Sequence, residues 1–357
     1  MYYHFSITRH LIFVLAIITI AVGCRKENRR TSKQDFFTSQ QQVKTDRIIR
    51  DTIRPVRQFD LIDLGVFNDG DINVDDKHLY ISDVSRNKIL KIKRNTWSVV
   101  DSIGNGEGQG PGQSRDLNDF SIHGRFVYIP DPPQRKIMIF RKNGEYIKKI
   151  NTENFRPEET KPISNYELIV HAGATPGSFK FYIIDRKGKI IDKFIDIDDS
   201  KNPLRYNGDI TINEKNETIY FSDFTEPIIK GISFDGNVDF SMDLINNFNP
   251  EGSYTKSGIG TETVRYSYSE YALYASADLF YIDEKIFLSP LNNEEGDIFN
   301  FLDVYDTNGS YKYTIYLGRE VAFTDVVIAS DGRAYAIEQH RNEGDKLFVY
   351  NLKKHIK

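Results

Sequence analysis

Short runs of β-branched and aromatic residues recur along the chain, and each run ends in a polar residue or a proline. A similar run precedes most copies, and another follows, as in Lys136–Phe140. Beyond residue 22 the sequence shows no helical periodicity long enough to favour helices over strands. The copies are His78–Asp83, Phe126–Asp131, Tyr166–His171 (the weakest), Thr218–Asp223, Lys285–Pro290 and Arg333–Glu338. This pattern predicts an all-β chain built from six repeats.

Glycines mark the tight turn after the third run of four repeats, where a positive φ is required. They belong to the pairs Asn143-Gly144, Lys187-Gly188, Asp235-Gly236 and Asn308-Gly309. The glycines lie 44, 48 and 73 residues apart, and a fourth strand pattern follows each of them. The repeat is therefore a four-stranded unit with one insertion, which is typical of a β-propeller blade.

The two ends of the repeat region complement each other. The sixth unit has three strand patterns and lacks a fourth, whereas Phe59–Leu64 is a spare strand pattern before the first complete unit. Pairing the spare strand with the last unit would leave no unpaired edge. We therefore expect residues 58–357 to form a six-bladed β-propeller of four-stranded antiparallel blades, closed by an N-terminal strand that completes the last blade.

The N-terminus has the layout of a secretory signal. An apolar run, Leu11–Val22, is too short to span a bilayer comfortably and is followed by Gly23 and by Cys24, the one cysteine of the chain. This arrangement resembles a bacterial lipobox and predicts a signal peptide over residues 1–23 with lipidation at Cys24. A plain cleaved signal and an uncleaved anchor are the alternatives. Residues 24–57 would then be a flexible basic tether to the membrane.

Charge is unevenly distributed over the 357 residues, which carry 47 Lys and Arg against 51 Asp and Glu. Residues 25–57 hold ten basic and four acidic side chains, so the rest of the chain is acidic. A nucleic-acid-binding surface needs clustered Lys and Arg. The acidic body therefore argues against nucleic acid as a partner.

The first two repeats resemble a known family. The segments Gly104–Gln113, Val127–Asp131, Arg135–Phe140 and Asn143–Tyr146 are similar to an NHL repeat, and the mature chain resembles the NHL-like six-bladed β-propeller lipoproteins of Gram-negative bacteria. The resemblance implies a ring of blades around a central channel, with ligand sites on one face. It also implies a place in the cell envelope, at the outer membrane and facing either the periplasm or the surface. The segment Gly104–Gln113 is rich in glycine but lacks the Gly-Lys-Ser/Thr ending of a phosphate loop, so we expect it to connect two blades.

Four aspartates, Asp71, Asp119, Asp209 and Asp325, each begin an innermost strand pattern. If these strand starts ring one mouth of the channel, the carboxylates are candidate ligands for calcium. Such an arrangement resembles the site of calcium-dependent lactonase propellers. The same side chains would alternatively cap exposed backbone N–H groups in each blade.

The fifth repeat carries an insertion between Leu244 and Tyr274 that is rich in tyrosine. Long insertions on a rigid scaffold often carry binding residues, and tyrosine suits sugar rings and peptides. Candidate ligand-binding residues there are Arg265, Tyr268 and Tyr271, and connections between other blades add Arg115, Arg205 and Tyr206. A loop that merely plugs the channel is the alternative.

These features predict a lipid-anchored envelope protein that binds a protein, peptide or carbohydrate on one propeller face, with no cofactor and no catalytic residues. The alternative is a cation-dependent lactonase or lyase that would use calcium at the channel mouth. The two hypotheses differ in one requirement. The enzyme needs acidic side chains that converge on a metal ion, whereas the receptor needs an open binding face.

Overall fold

The structure is a computed structural model, and six sheets of four antiparallel strands form a ring in it. The predicted six-bladed β-propeller is therefore confirmed. The described residues are 47–164, 167–173, 175, 177–197, 206–224, 226–245, 278–290, 301–318, 323–338 and 344–356, together with the backbone of 254–257 and 265–268.

Each blade is an up-and-down meander whose first strand lies innermost. Two strands precede the first complete blade, β1 (Ile49–Thr52) and β2 (Arg57–Asp60). Blade 1 contains β3 Asp69–Val74, β4 His78–Asp83, β5 Lys88–Lys93 and β6 Ser98–Ile103. Blade 2 contains β7 Ser121–His123, β8 Phe126–Asp131, β9 Lys136–Arg141 and β10 Tyr146–Asn151. Blade 3 contains β11 Pro157–Pro162, β12 Glu167–Ala172, β13 Phe179–Asp185 and β14 Ile190–Asp196.

The second half of the ring repeats this order around an inserted hairpin. Blade 4 contains β15 Gly208–Asn213, β16 Thr218–Asp223, β17 Ile228–Ser233 and β18 Val238–Asp243. The hairpin is β19 Tyr254–Ser257 and β20 Arg265–Tyr268. Blade 5 contains β21 Asp278–Ile282, β22 Lys285–Ser289, β23 Phe301–Asp306 and β24 Tyr311–Tyr316, and blade 6 contains β25 Asp325–Ile328, β26 Arg333–Glu338 and β27 Lys346–Asn351. Short 3-10 turns cover Leu61–Leu64, Val84–Arg86 and Pro132–Gln134, and a one-turn helix, α1, covers Lys353–Ile356.

The hydrophobic core consists of six clusters, and each cluster lies between two neighbouring blades. The second strand of a blade is buried on both faces, as in β4, because each face packs against a different neighbour. The outermost strand alternates partly buried and exposed residues, as in β10. This gradient explains why the second strands read as near-continuous apolar runs in the sequence.

The turn glycines have the expected conformation. Gly144, Gly188, Gly236 and Gly309 have φ values between 77° and 87°, in the left-handed region. At Gly236 a Cβ atom would also lie 2.5 Å from the Cβ atom of Phe194 in the preceding blade. Glycine therefore serves both the turn and the close approach of two blades at this position.

The N-terminal part of the chain closes the ring. Strand β2 pairs antiparallel with β27 and supplies the fourth strand of blade 6, as predicted. The strand covers Arg57–Asp60, and the rest of the predicted segment forms the 3-10 turn in which Leu61 and Leu64 are buried. The closing segment is thus half strand and half turn.

Strand β1 lies within the segment expected to be a flexible tether, but it pairs in parallel with β24 as a fifth strand of blade 5. Arg47 fixes its start: Nε and Nη2 donate hydrogen bonds of 3.0 and 2.7 Å to the two carboxylate oxygens of Asp303. Asp303 is 1% exposed and also accepts a hydrogen bond from Thr314. The ordered part of the chain therefore begins ahead of the expected boundary at residue 58.

The signal peptide, Cys24 and residues 24–46 of the expected tether lie outside the described residues. Within the described ranges, no helix has the length and apolar character needed to cross a bilayer.

We expect Asp303→Asn to lower the free energy of unfolding by about 2–3 kcal/mol, because it leaves the guanidinium group of Arg47 without its buried counter-charge. Urea denaturation measures this change. Glu145→Gln is the matched control, since it removes one partner of the surface ion pair with Arg141 and should cost less than about 1 kcal/mol. Equal losses in the two variants would show that the contact between β1 and blade 5 adds no stability.

A candidate binding site at the central channel

Six acidic residues, one from the innermost strand of each blade, lie around one end of the channel. They are Asp71, Asp119, Glu159, Asp209, Asp278 and Asp325, and all of them line one cavity. Each lies at or close to the start of its strand, so the propeller symmetry brings the six carboxyl groups together. We call this set the carboxylate ring.

Most members of the carboxylate ring accept a hydrogen bond from a backbone N–H group in the innermost strand of the next blade. Five blade junctions contain such a bond: Phe120 to Asp71 (3.1 Å), Ile210 to Glu159 (3.2 Å), Leu279 to Asp209 (2.6 Å), Val326 to Asp278 (2.8 Å) and Ile72 to Asp325 (2.6 Å). An innermost strand has no partner on its channel side, so these N–H groups need another acceptor. The capping role considered from the sequence is present, but it links neighbouring blades and does not act within one blade.

The junction between blades 2 and 3 differs from the other five. Oδ2 of Asp119 is buried and has no hydrogen-bond partner among the described residues. The next innermost strand is β11, whose sequence begins with Pro157 and has Glu159 where most blades have aspartate. Blade 3 therefore departs from the repeat at the cavity wall.

Five of the six carboxyl groups in the ring have pKa values above their usual range. Burial raises the pKa of Asp71 and of Asp278 to about 7. Burial and the neighbouring carboxylates raise the pKa values of Asp119, Asp209 and Asp325 well above their usual range. Neighbouring carboxyl groups raise one another's pKa: Asp71 acts on Asp119, Glu159 on Asp209 and Asp278 on Asp325. Paired carboxyl groups in a low-dielectric site share protons, because both members of a pair cannot readily ionise.

The cavity above the ring has a volume of about 590 Å³. At its rim, Nη2 of Arg156 lies 3.3 Å from Oε1 of Glu158, and both side chains are in contact with solvent. Phe224, which is partly exposed, adds an aromatic side chain to the lining. The backbone of Gly173 lies against Glu158, and a Cβ atom at Gly173 would be 2.4 Å from the Glu158 carboxylate.

His171 lies in the wall of the cavity and is 3% exposed. Its Nε2 lies 3.4 Å from the carbonyl oxygen of Tyr206, and its Nδ1 lies 3.8 Å from Oε2 of Glu159. Burial and the charge of Lys180 lower its pKa well below the usual range. The ring of His171 is therefore neutral at physiological pH and contributes hydrogen bonding but no charge.

The structure brings together the four aspartates singled out from the sequence, Asp71, Asp119, Asp209 and Asp325, at this one cavity. Within the described part of the chain, however, no three His, Cys, Asp or Glu side chains have an arrangement suited to a metal ion. Asp71, Asp209 and Asp325 each accept one of the bonds between blades described above, whereas Oδ2 of Asp119 has no partner among the described residues.

The ligand-binding residues expected from the sequence do not assemble in the described part of the chain. Arg115 is exposed in the connection between blades 1 and 2, and its backbone N–H donates to Asp131. The ring of Tyr206 is 2% exposed and packs in the core between blades 3 and 4, so it is not available to a ligand. Arg265 and Tyr268 lie on β20, of which only the backbone is described. Arg205 and Tyr271 lie outside the described residues.

Sequence reasoning missed Asp278, Glu159, Arg156 and Phe224. Asp278 lies seven residues before Lys285, the spacing that separates Asp71 from His78, so aligning the repeats would have found it. Glu159 was hidden because the third repeat is degenerate. Arg156 and Phe224 carry no signal in the sequence, since only the fold brings them to the cavity.

The solved structures similar to this chain include a β-propeller domain. A protein of Bacteroides fragilis NCTC 9343 that is described as exported shares 13% identity, covers 81% of this chain and 91% of its own, and has a TM-score of 0.55. A member of the DUF4221 family from Bacteroides vulgatus shares 8% identity over 85% of this chain and 94% of its own, with a TM-score of 0.52. The β-propeller domain of Cps50 (Swd1) from Myceliophteria thermophila shares 8% identity over 84% of this chain and 99% of its own, with a TM-score of 0.50.

At these identities the similarity establishes the fold alone. No protein-family model matches the chain, and no curated protein matches it either. The class of the protein is therefore a six-bladed β-propeller with an acidic central cavity.

We expect Asp71→Asn to change how stability depends on pH. The folded protein keeps a proton on Asp71 up to about pH 7, whereas the unfolded chain releases it near its ordinary pKa of 3.8. The stability that this proton contributes is complete below the lower value and is lost as the pH rises through the upper one. Asparagine keeps an acceptor for Phe120 and does not ionise, so the variant should gain about 1–3 kcal/mol relative to the wild type between about pH 5 and pH 8.

Urea denaturation at several pH values measures this difference. The exposed residue Asp60 provides the control, because Asp60→Asn should show no such trend. A difference between Asp71→Asn and the wild type that stays constant with pH would contradict the shared protons of the carboxylate ring.

Proposed function

We propose that the protein is exported and lipid-anchored, and that its propeller binds a ligand in the acidic cavity without catalysing a reaction. The observation that carries this proposal is the cavity itself, in which seven carboxyl groups, Arg156 and Phe224 converge. Concave sites with a few convergent polar groups are where propellers and other rigid scaffolds bind small ligands or parts of larger ones.

The lining of the cavity suggests the chemistry of the ligand. Carboxylate oxygens accept hydrogen bonds, so the ligand should present hydroxyl or ammonium donors. Phe224 offers an apolar face, and Arg156 offers donors to an oxygen of the ligand. A carbohydrate or a peptide with a basic side chain has these groups, and a protein would bind through such a segment.

The connections between strands extend the same face. The longest gap between described blade strands runs from Asp243 to Asp278, and Asp278, at the end of this gap, lines the cavity. The hairpin of β19 and β20, with Arg265 and Tyr268, belongs to this connection. We infer that it contacts the part of the ligand that extends beyond the cavity.

Location in the cell envelope rests on the N-terminal sequence. The apolar run Leu11–Val22, followed by Gly23 and Cys24, supports cleavage after residue 23 and attachment to a membrane through the lipidated cysteine. The resemblance to NHL-like propeller lipoproteins and the similarity to a Bacteroides protein described as exported point the same way. We propose the outer membrane as the location.

A cation-dependent lactonase or lyase is the second candidate function. The observation that favours it is the position of Asp71, Asp119, Asp209 and Asp325 around one cavity. This activity would require calcium among these carboxylates, together with turnover of a lactone or of an acidic sugar.

We expect the purified protein to bind at least one member of a panel of neutral oligosaccharides and basic peptides. Acidic peptides tested beside them should show no binding. Glu158→Gln, Arg156→Ala and Phe224→Ala should each weaken binding about tenfold, or about 1.4 kcal/mol, because each removes a contact in the cavity. Isothermal titration calorimetry measures the affinity, and thermal melting checks that each variant is folded.

Lys77→Ala is the matched control, since Lys77 lines a separate pocket at the opposite end of the channel. Binding that is unaffected by the three cavity variants would contradict the location of the site. Calcium-dependent turnover of a lactone would favour the second candidate function.

A further inference from the structure

One basic side chain, that of Lys161, reaches the carboxylate ring from within the channel. Lys161 follows Glu159 by two residues on β11, so both side chains point to the same side of the strand. Its Nζ lies 2.6 Å from Oε1 of Glu159, and its side chain is 28% exposed. The ammonium group therefore contacts a member of the ring, and most of the side chain is shielded from solvent.

The ammonium group of Lys161 acts on most of the ring and not on one partner. Its strongest electrostatic interactions are with Glu159, Asp209 and Asp119. It also interacts with Asp71 and Asp278, which belong to blades 1 and 5. Five of the six ring members thus share one positive charge that comes from blade 3.

This lysine is specific to blade 3. The residue two positions after the ring carboxylate is uncharged in the other blades, where it is Asn73, Ser121, Thr211, Phe280 or Val327. Blade 3 is also where glutamate replaces aspartate in the ring. The longer side chain of Glu159 and the lysine two residues later form a pair that the repeat does not require.

We propose that Lys161 supplies the cation of the carboxylate ring and makes the cavity selective against divalent metal ions. A ring of carboxylates is an arrangement that calcium would occupy in other proteins. Here the ammonium group of Lys161 provides the positive charge that a calcium ion would provide. The cavity above it can therefore accept the hydrogen-bond donors of a ligand. The inference rests on the proposed function only where it assigns the cavity to a ligand. Its test measures the thermal stability of the protein and needs no ligand.

The test removes the ammonium group and supplies it again in solution. Lys161→Ala lacks Cγ, Cδ, Cε and Nζ, and n-propylammonium supplies the same three carbon atoms and one nitrogen atom. We expect this variant to melt about 5 °C or more below the wild type, since the carboxylates lose their counter-charge. Millimolar n-propylammonium should restore at least half of that loss, because it binds the folded state and not the unfolded chain. Thermal melting of the full chain, followed by circular dichroism, measures both effects.

Two controls accompany this experiment. Lys215→Ala removes a lysine whose side chain is 83% exposed and should show neither the loss nor the rescue. The wild type should melt at the same temperature in millimolar calcium as in a chelator, and calorimetry should detect no calcium binding.

Several results would overturn the proposal. The wild type would bind calcium, or Lys161→Ala would melt at the same temperature as the wild type. Alternatively, calcium would raise the melting temperature of Lys161→Ala where n-propylammonium does not, or the amine would raise that of Lys215→Ala equally. If Lys161→Ala does not fold, the double variant Lys161→Ala/Glu159→Gln is measured in the same way, because it removes both members of the ion pair and keeps the formal charge of the site. Failure to find a ligand in the binding panel would leave these melting temperatures unchanged, so the two proposals fail separately.

Discussion

The hydrophobic core of this propeller belongs to the junctions between blades, and no single blade is complete without its two neighbours. Each of the six buried clusters draws its side chains from two adjacent sheets. A break anywhere in the ring would expose two such faces to water, at a cost that grows with the apolar area involved. Closure by β2 is therefore a condition for the stability of every junction and not a local detail of blade 6.

Closure also determines the chemistry at the channel. The innermost strands present N–H groups to a channel where no further strand can pair with them. Aspartate at the start of one strand satisfies the N–H group of the next, and repeating this solution gathers acidic groups at one end. Gathered carboxylates repel one another, so the site holds protons, and Lys161 adds a positive charge. The acidic cavity is thus a consequence of how the blades are joined, and a ligand site can use groups already placed for structural reasons.

The sequence predicted the fold because the information is repeated. Strand runs and turn glycines such as Gly144 and Gly236 recur at the interval of a blade. A weak strand or turn pattern in one repeat can therefore be recognised from the stronger patterns in the others. The partner of β1 had no such signal, since Arg47 and Asp303 are 256 residues apart and their contact depends on the completed ring. Tyr206 was assigned to a ligand because it lies in a connection, whereas an aromatic ring at a blade junction is packed as core. Periodicity identifies what every blade does and gives little information about what one blade does alone.

Departures from the repeat are therefore informative, and those that change the side chains at the channel lie in blade 3. This blade contributes Glu159 and Lys161 to the channel and His171 to the cavity wall. Behind that wall lies Lys180, which is fully buried and has no hydrogen-bond partner for its Nζ among the described residues. Burial lowers its pKa to about 7, against the opposing effect of Asp223 and Glu158. A structural role repeats with the blades, but a ligand breaks the symmetry of the ring because it contacts some blades more than others. Under the proposed function, these asymmetric charges make the blade 3 side of the cavity the part that would distinguish one ligand from another.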